Sequence, residues 1–433
     1  MEISPQRRLA RTPWESFERE ALAHLRALIR CDTVNPPGNE RVATELLAAA
    51  FGTEGIGAVV LEKEPTRANL VARLKGGVEA PLMLSSHTDV VPVEPQRWSR
   101  PPFGAEVAEG CVWGRGAIDM KPKCAMDLSL MLALKRAGAV PNRDLIFAAV
   151  ADEEAGSELG AKFLVECHPE LIRCGWVLNE AGGFTLHLNG RRYYPVQVAE
   201  KGYVTVRMSV HAPPGHGSIP RPDNAIAWLA DLIQRLNRTP MRQRLTPLMR
   251  RTLGELGIDP HSAPPLFRAM MANTVTPTIV RAGYKDNVIP GEASAVLDGR
   301  TLPGETPESF LRELREIVGP EPALEVIKSA PPAEGSADTE LFRLIARELE
   351  AADPGARAIA WMLPGATDSK FYAQLGATCY GFGPVRVGAK MPFGSLYHAH
   401  DERIPLDGFL WGLRVYAQVV LGFLGLRFDE VFA

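Results

Sequence analysis

Three apolar runs in this chain each end in a side chain able to hold a metal. Pro81-Leu82-Met83-Leu84 leads into Ser85-Ser86-His87-Thr88-Asp89, Leu145 to Val150 leads into Ala151-Asp152-Glu153-Glu154, and Trp176-Val177-Leu178 leads into Asn179-Glu180. Short apolar runs bounded by polar or glycine-rich turns read as buried parallel strands. In an open α/β sheet the site lies just beyond the carboxyl ends of such strands. Here those ends carry imidazole and carboxylate, the donors of a hydrolytic zinc site. The pattern restricts the chain to an α/β sheet carrying a metal-dependent site at one edge.

At 433 residues the chain exceeds one typical core, so two domains are expected. A formal charge of -3, with the arginines spread out, supplies no basic field and argues against nucleic acid as a partner. The six cysteines form no C-x-x-C pair and read as reduced thiols of a cytoplasmic protein. No long apolar stretch follows Met1 to Arg8, so no secretory signal is expected. The apolar tail from Phe409 to Phe423 is interrupted by Arg414 and Gln418 and reads as a helix packed on the sheet rather than a membrane span.

The segment from Pro13 to about Ala50 reads as helical, broken at Thr33 to Gly38. Val59 to Leu61 and Leu70 to Leu74 read as strands, and Cys124 to Ala137 as an apolar helix after the loop Gly114-Arg115-Gly116-Ala117-Ile118-Asp119. The character changes near residue 200. Tyr203 to Val210 alternates like a half-exposed strand, Asn224 to Leu236 reads as a helix, and an irregular arginine- and proline-rich stretch runs to about Pro265. Thr274 to Val280 and Ala293 to Leu297 read as strands, Pro307 to Ile317 as a helix, and Ser329 to Ala333 as a hinge linker. The expected organisation is a catalytic α/β domain from residues 1–199 and 333–433, interrupted by an α+β domain at 200–332.

Neutral imidazole binds zinc through one nitrogen while a carboxylate orients the other, which suits His87 with Asp89 two residues on. Asp119 reaches the same face if Gly114 and Gly116 make a tight crossover, and its two oxygens could bridge cations about 3.5–4 Å apart. Asp152-Glu153-Glu154 crowds negative charge at the end of a buried strand. A metal relieves the repulsion by binding one carboxylate and leaves another to take a proton from water, although an acidic triplet also suits a helix N-terminus. Glu180 is costly to bury unpaired. His398-Ala399-His400-Asp401-Glu402 brings two of the nine histidines together near the C-terminus.

Taken in order, the strings SSHTDVVP, GRGAIDMKP, ADEEAGS, NEAGG, GHGS and HAHDE resemble the M20 family of metallohydrolases, over about residues 20 to 425. That family includes aminoacylase-1 type enzymes, acetylornithine and succinyl-diaminopimelate deacylases, and glutamate-releasing carboxypeptidases. The resemblance implies a zinc-peptidase-like catalytic domain with a central mixed sheet, and an inserted lid and dimerisation domain. It implies two zinc ions, with cobalt or manganese as substitutes: His87, Asp119 and Glu180 on one, Asp119, Glu154 and His398 on the other, His400 being the alternative to His398. Glu153 becomes the general base acting on a bridging water, and Asp89 the partner of His87. His216 becomes an oxyanion donor that crosses between subunits of a homodimer. Asn273, Arg300 and the glycine-rich loop at Gly365 become substrate contacts. The implied substrate is an N-acyl amino acid, or a dipeptide or similar peptide, with a free carboxylate.

Overall fold

The computed structural model describes residues 11–433; the expectations for residues 1–10, including the absence of a leader, lie outside the described residues. Two compact units result. One runs to Val198 and resumes at Gly335–Ile359 and Thr367–Ala433; the other comprises Ala199–Glu334 and Ala360–Ala366.

In the first unit, helices α1 (Trp14–Arg30) and α2 (Arg41–Thr53) precede strands β1 (Ala58–Glu62), β2 (Ala68–Leu74) and β3 (Glu79–His87). Helix α3 (Lys121–Ala137) is followed by β4 (Arg143–Val150) and β5 (Trp176–Asn179). The sheet order is β1-β2-β4-β3-β5, continued by Thr378–Gly381 and Arg191–Glu200. Strand β3 lies parallel to both β4 and β5, and β5 parallel to Thr378–Gly381, whereas β1, β2 and Arg191–Glu200 pair antiparallel. The sheet is therefore mixed around a parallel centre. Register brings the three ligand-bearing ends together, because His87 pairs with Val150 and Leu84 with Leu178. Met83, Ile146, Val150 and Val177 are enclosed in one apolar cluster. Burying side chains of this size stabilises by roughly 1.5–3 kcal/mol each, which fixes the strand ends from below.

Helix α3 begins at Lys121, three residues before the expected start, since Pro122 occupies the first turn, where its missing N–H costs nothing. Its residues from Lys121 to Leu134 are all buried, so the helix is enclosed on every side, with Lys121, Lys123, Asp127 and Ser129 buried among its apolar residues. No described helix is long and apolar enough to cross a membrane.

The second unit is a sheet ordered Thr274–Ala282, Glu292–Thr301, Gly202–His211, Ala323–Ala330, with helices Ala225–Arg238 and Pro307–Val318 packed on one face through Leu229, Leu232, Phe310 and Leu314. Two sequence expectations fail here. Ser329 and Ala330 are not linker but the end of a strand, Ser329 pairing with Val204. The stretch up to Pro265 is not wholly irregular: Pro247–Leu256 is a helix, its N-cap Thr246 accepting from Met249 N, and a short helix begins at Pro265 itself. Proline at the first helical position starts both helices.

Candidate active site

His87 ends β3 and is 1% exposed. Its Nδ1 lies 3.0 Å from the backbone carbonyl of Asp89. A carbonyl only accepts, so Nδ1 carries the proton, and in the neutral ring Nε2 presents a lone pair. That lone pair faces Asp119 Oδ1 at 3.0 Å and Glu180 Oε2 at 3.4 Å. A lone pair aimed at carboxylate oxygens is repulsive unless a cation, proton or metal, lies between them.

Asp119 divides its oxygens between two imidazoles: Oδ1 faces His87, while Oδ2 lies 3.2 Å from His398 Nε2. His398 Nε2 is also 3.3 Å from Glu154 Oε2. Donor atoms of His87, Asp119 and Glu154 fall within 4.8 Å of one another, as do those of His87, Glu153 and Glu180. His400 points elsewhere, its Nε2 being 3.3 Å from Glu94. We predict that His398→Ala lowers retained metal and activity at least tenfold while His400→Ala leaves both near wild type. Metal content after dialysis and kcat measured on both variants check this, and the reverse ranking would exchange their roles.

Three carboxylates outside the two candidate donor groups shape the site. The Asp89 carboxylate is 3.4 Å from His87 Nδ1, farther than the backbone carbonyl, and accepts instead from Glu153 N and Glu154 N at 3.1 Å each and from Asn35 Nδ2 at 2.9 Å. It thus fixes the turn that carries both glutamates. Asp152 enters that turn at φ 68°, with its Oδ1 held by Asn35 and Arg67 at 3.0 Å each. Glu402 is fully buried and accepts from Gly116 N, Ile118 N, Asp119 N and Arg115 Nη1 at 2.7–3.1 Å. It thereby holds the loop that presents Asp119. That loop needs its glycines: Gly114 has φ 154°, and a Cβ there would meet Ile29 Cγ2 at 2.5 Å. Asp152, Ala181, His398 and Asp401 are non-glycine residues at positive φ around the cluster, conformations that persist only where the surroundings enforce them. Asn35, Arg67 and Glu40, which pairs with Arg67 at 2.7 Å, carry no motif that sequence reading could use; Glu402 lies in the C-terminal string but gave no sign of this role.

Burial pushes Glu153, Glu154 and Glu180 above the ordinary carboxylate range, Glu180 to about 7, and neighbouring negative charge adds to it for all three. Burial also works against the charge on Asp119, but contacts with His398 and His87 hold it well below the usual range. His398 is pushed up to about 10 by the Asp119 and Glu154 carboxylates. Without a metal the cluster therefore keeps protons where a cation belongs. Its oxygen and nitrogen donors, with no sulfur among them, fit a divalent metal.

Residues 83–422 match the profile of Peptidase family M20/M25/M40. The chain belongs to this family. Human aminoacylase-1 is 26% identical over 418 residues, 93% of this chain and 95% of that protein. N-fatty-acyl-amino acid synthase/hydrolase PM20D1 of Xenopus tropicalis is 28% identical over 379 residues, covering 78% and 72%. A M20 family metallo-carboxypeptidase from Sulfolobus solfataricus superimposes with a TM-score of 0.74 at 19% identity, covering 94% of this chain and all of that one, and so shares the fold. As an M20 member the chain is a metal-dependent hydrolase.

Four residues singled out in the sequence of this M20 hydrolase lie in the second unit. His216 is exposed, and its Nδ1 accepts from Ser218 N at 3.2 Å, which leaves Nε2 as a donor. Arg300 is held by Asp298 at 2.8 and 3.1 Å. Asn273 is buried, donating to Glu313 at 2.8 Å and accepting from Leu302 N at 2.9 Å, so both ends of its amide are used internally. The Gly365 carbonyl accepts from Lys201 N at 3.1 Å.

Proposed function

We propose that this chain hydrolyses the amide bond of an N-acyl amino acid, or of a short peptide, that carries a free carboxylate. The supporting observation is Asp119, whose two oxygens are shared between His87 and His398. Zinc is the proposed metal, with cobalt or manganese as substitutes: His87, Asp119 and Glu180 would hold one ion and Asp119, Glu154 and His398 a second. When bound, these ions would polarise the scissile carbonyl and bring the pKa of water toward neutrality.

The chain's own residues supply the rest. Glu153, whose carboxyl group makes no hydrogen bond among the described residues, is the proposed base. It would take a proton from the attacking water and return it to the leaving nitrogen. Asp89 would keep that base and Glu154 at fixed separation through their backbone N–H groups. His216 Nε2–H is the proposed donor to the tetrahedral oxyanion, within a homodimer formed through the second unit, a term worth about 3–4 kcal/mol per donor. Arg300 is the candidate for the substrate carboxylate, exchanging Asp298 for it, and Gly365 a backbone contact. Asn273 would act indirectly, by holding Leu302 and Glu313. The formal charge of -3 and the family's chemistry support a small-molecule substrate.

The test is amine release from zinc- or cobalt-loaded protein on matched N-acetyl amino acids and dipeptides. Cleavage of the acetyl series supports an acylase; faster cleavage of dipeptides makes the chain a peptidase of the same mechanism. Silence on both, with metal bound, overturns the reading. On the best substrate His216→Ala should lower kcat by roughly 10²–10³ with metal content unchanged; full activity removes His216 from the mechanism.

A further inference from the structure

Beside Asp119 and Glu180 the first unit contains a cavity of about 40 Å³ that the ligand set does not explain. Its walls include Met120, Pro122, Met126, Phe184, Phe393 and Tyr397. Pro122 and Met126 are four residues apart and share one face of α3, while Met120, Met126 and Phe393 are 3%, 2% and 6% exposed. Lys123 also lines the space, but its Nζ is committed to Asp127 Oδ2 at 2.8 Å and to the Ser85 carbonyl at 3.0 Å. The only other charged lining groups, Asp119 and Glu180, are acidic. Asp119 and Glu180 are taken up by the proposed metal and Lys123 by Asp127 and the Ser85 carbonyl, so no lining side chain is left to pair the free carboxylate of the substrate, which belongs elsewhere. What the walls suit is an uncharged apolar group attached next to the scissile carbonyl.

Size narrows that group. A water needs about 10–15 Å³ on this measure, and an apolar cavity of about 150 Å³ in another protein admits benzene. A space of about 40 Å³ therefore holds a few heavy atoms and not a ring or a long chain. We infer that this cavity is the acyl subsite and that it selects short acyl groups, acetyl to butanoyl, with Met126 setting the limit. Met126 is the lining residue farthest along α3 from Asp119, about 7.5 Å of helix rise beyond Lys121. The inference rests on the N-acyl amino acid reading proposed above.

The experiment is a chain-length series: N-acetyl, N-butanoyl, N-hexanoyl and N-octanoyl forms of the preferred amino acid, assayed with the zinc-loaded full chain. From butanoyl to octanoyl kcat/KM should fall at least tenfold, since one methylene at a packed pocket already decides roughly tenfold or more. Met126→Ala should move the optimum to longer chains, and Met126→Phe should confine activity to acetyl. A wild-type rate that is flat or rises with chain length overturns the inference, as does an unchanged ranking in a folded Met126→Ala. If no N-acyl amino acid is cleaved, the acylase reading fails on its own. The subsite is then tested by binding of acetyl, butanoyl and octanoyl hydroxamates to the zinc-loaded chain. Tighter binding of the short members, with octanoyl rescued in Met126→Ala, supports it; equal binding in both proteins overturns it.

Discussion

Replacing Glu153 with alanine should remove turnover, with kcat down by about 10²–10⁴ or more, while metal content stays near that of the wild type. The expectation follows from how the carboxylates divide. Glu154 and Glu180 each contact an imidazole, His398 at 3.3 Å and His87 at 3.4 Å respectively, and Asp119 contacts both. Glu153 reaches the same cluster, yet its carboxyl group makes no hydrogen bond or ion pair among the described residues. Burial and the nearby Glu180 charge raise its affinity for a proton, as a group that must first accept and then return one requires. Glu153→Gln provides the control for shape, since the amide fills the same space and cannot take a proton. It should be as inactive as the alanine variant. Glu154→Gln should instead lose metal and activity together. Turnover assays paired with elemental analysis separate the two classes. An active Glu153→Gln, or one that sheds its metal, would end the base assignment.

The strand ends and the candidate ligands at them were legible because a buried carboxylate without a partner is expensive. Three apolar runs that each stop at a carboxylate or an imidazole point to one shared site, although the acidic triplet taken alone also suits a helix N-terminus. The parallel register of β3 with β4 and β5 sets three of these ends side by side, and His87, Asp119, Glu153, Glu154, Glu180 and His398 come together there. The groups that hold them were not legible. Asn35 bonds Asp89 across 54 residues, and Glu402 bonds Gly116 across 286. Such contacts follow no helical or strand period, so nothing in the local sequence marks them. Pattern failed differently in the second unit. The strand Ala323–Ala330 is exposed at six of its eight residues, which hid the alternation expected of a half-buried strand. In the helix starting at Pro247, arginine and proline counts outweighed the cap at Thr246 that marks its start.

Stripping the metal should destabilise the protein more at pH 8 than at pH 5. In the metal-free chain Glu180 titrates near 7 instead of its ordinary 4.5, because burial disfavours its charge. Glu153 is raised for the same reason, and His398 is raised to about 10 by its carboxylate contacts. In each case the folded state keeps a proton that the unfolded chain has released. Unfolding free energy therefore falls as pH rises through the interval between unfolded and folded values. For Glu180 that interval is about 4.5 to 7, and the loss is on the order of 3 kcal/mol. For His398 it continues from about 6.5 to about 10. Asp119 has the opposite sign, but its stabilisation is complete once pH exceeds the ordinary carboxylate range and does not change across this window. A divalent cation held by this cluster would take the place of these protons, and competition weakens as they leave, so its stabilising effect should grow with pH. Thermal unfolding with excess zinc and with chelator, from pH 5 to pH 9, measures the difference directly. The gap between the two melting temperatures should widen steadily, and calorimetric titration in buffers of different ionisation enthalpy should register protons released as metal binds. A gap that is constant or narrows with pH would mean that the protons and the metal occupy different places, and the cluster around Asp119 would no longer be the metal centre.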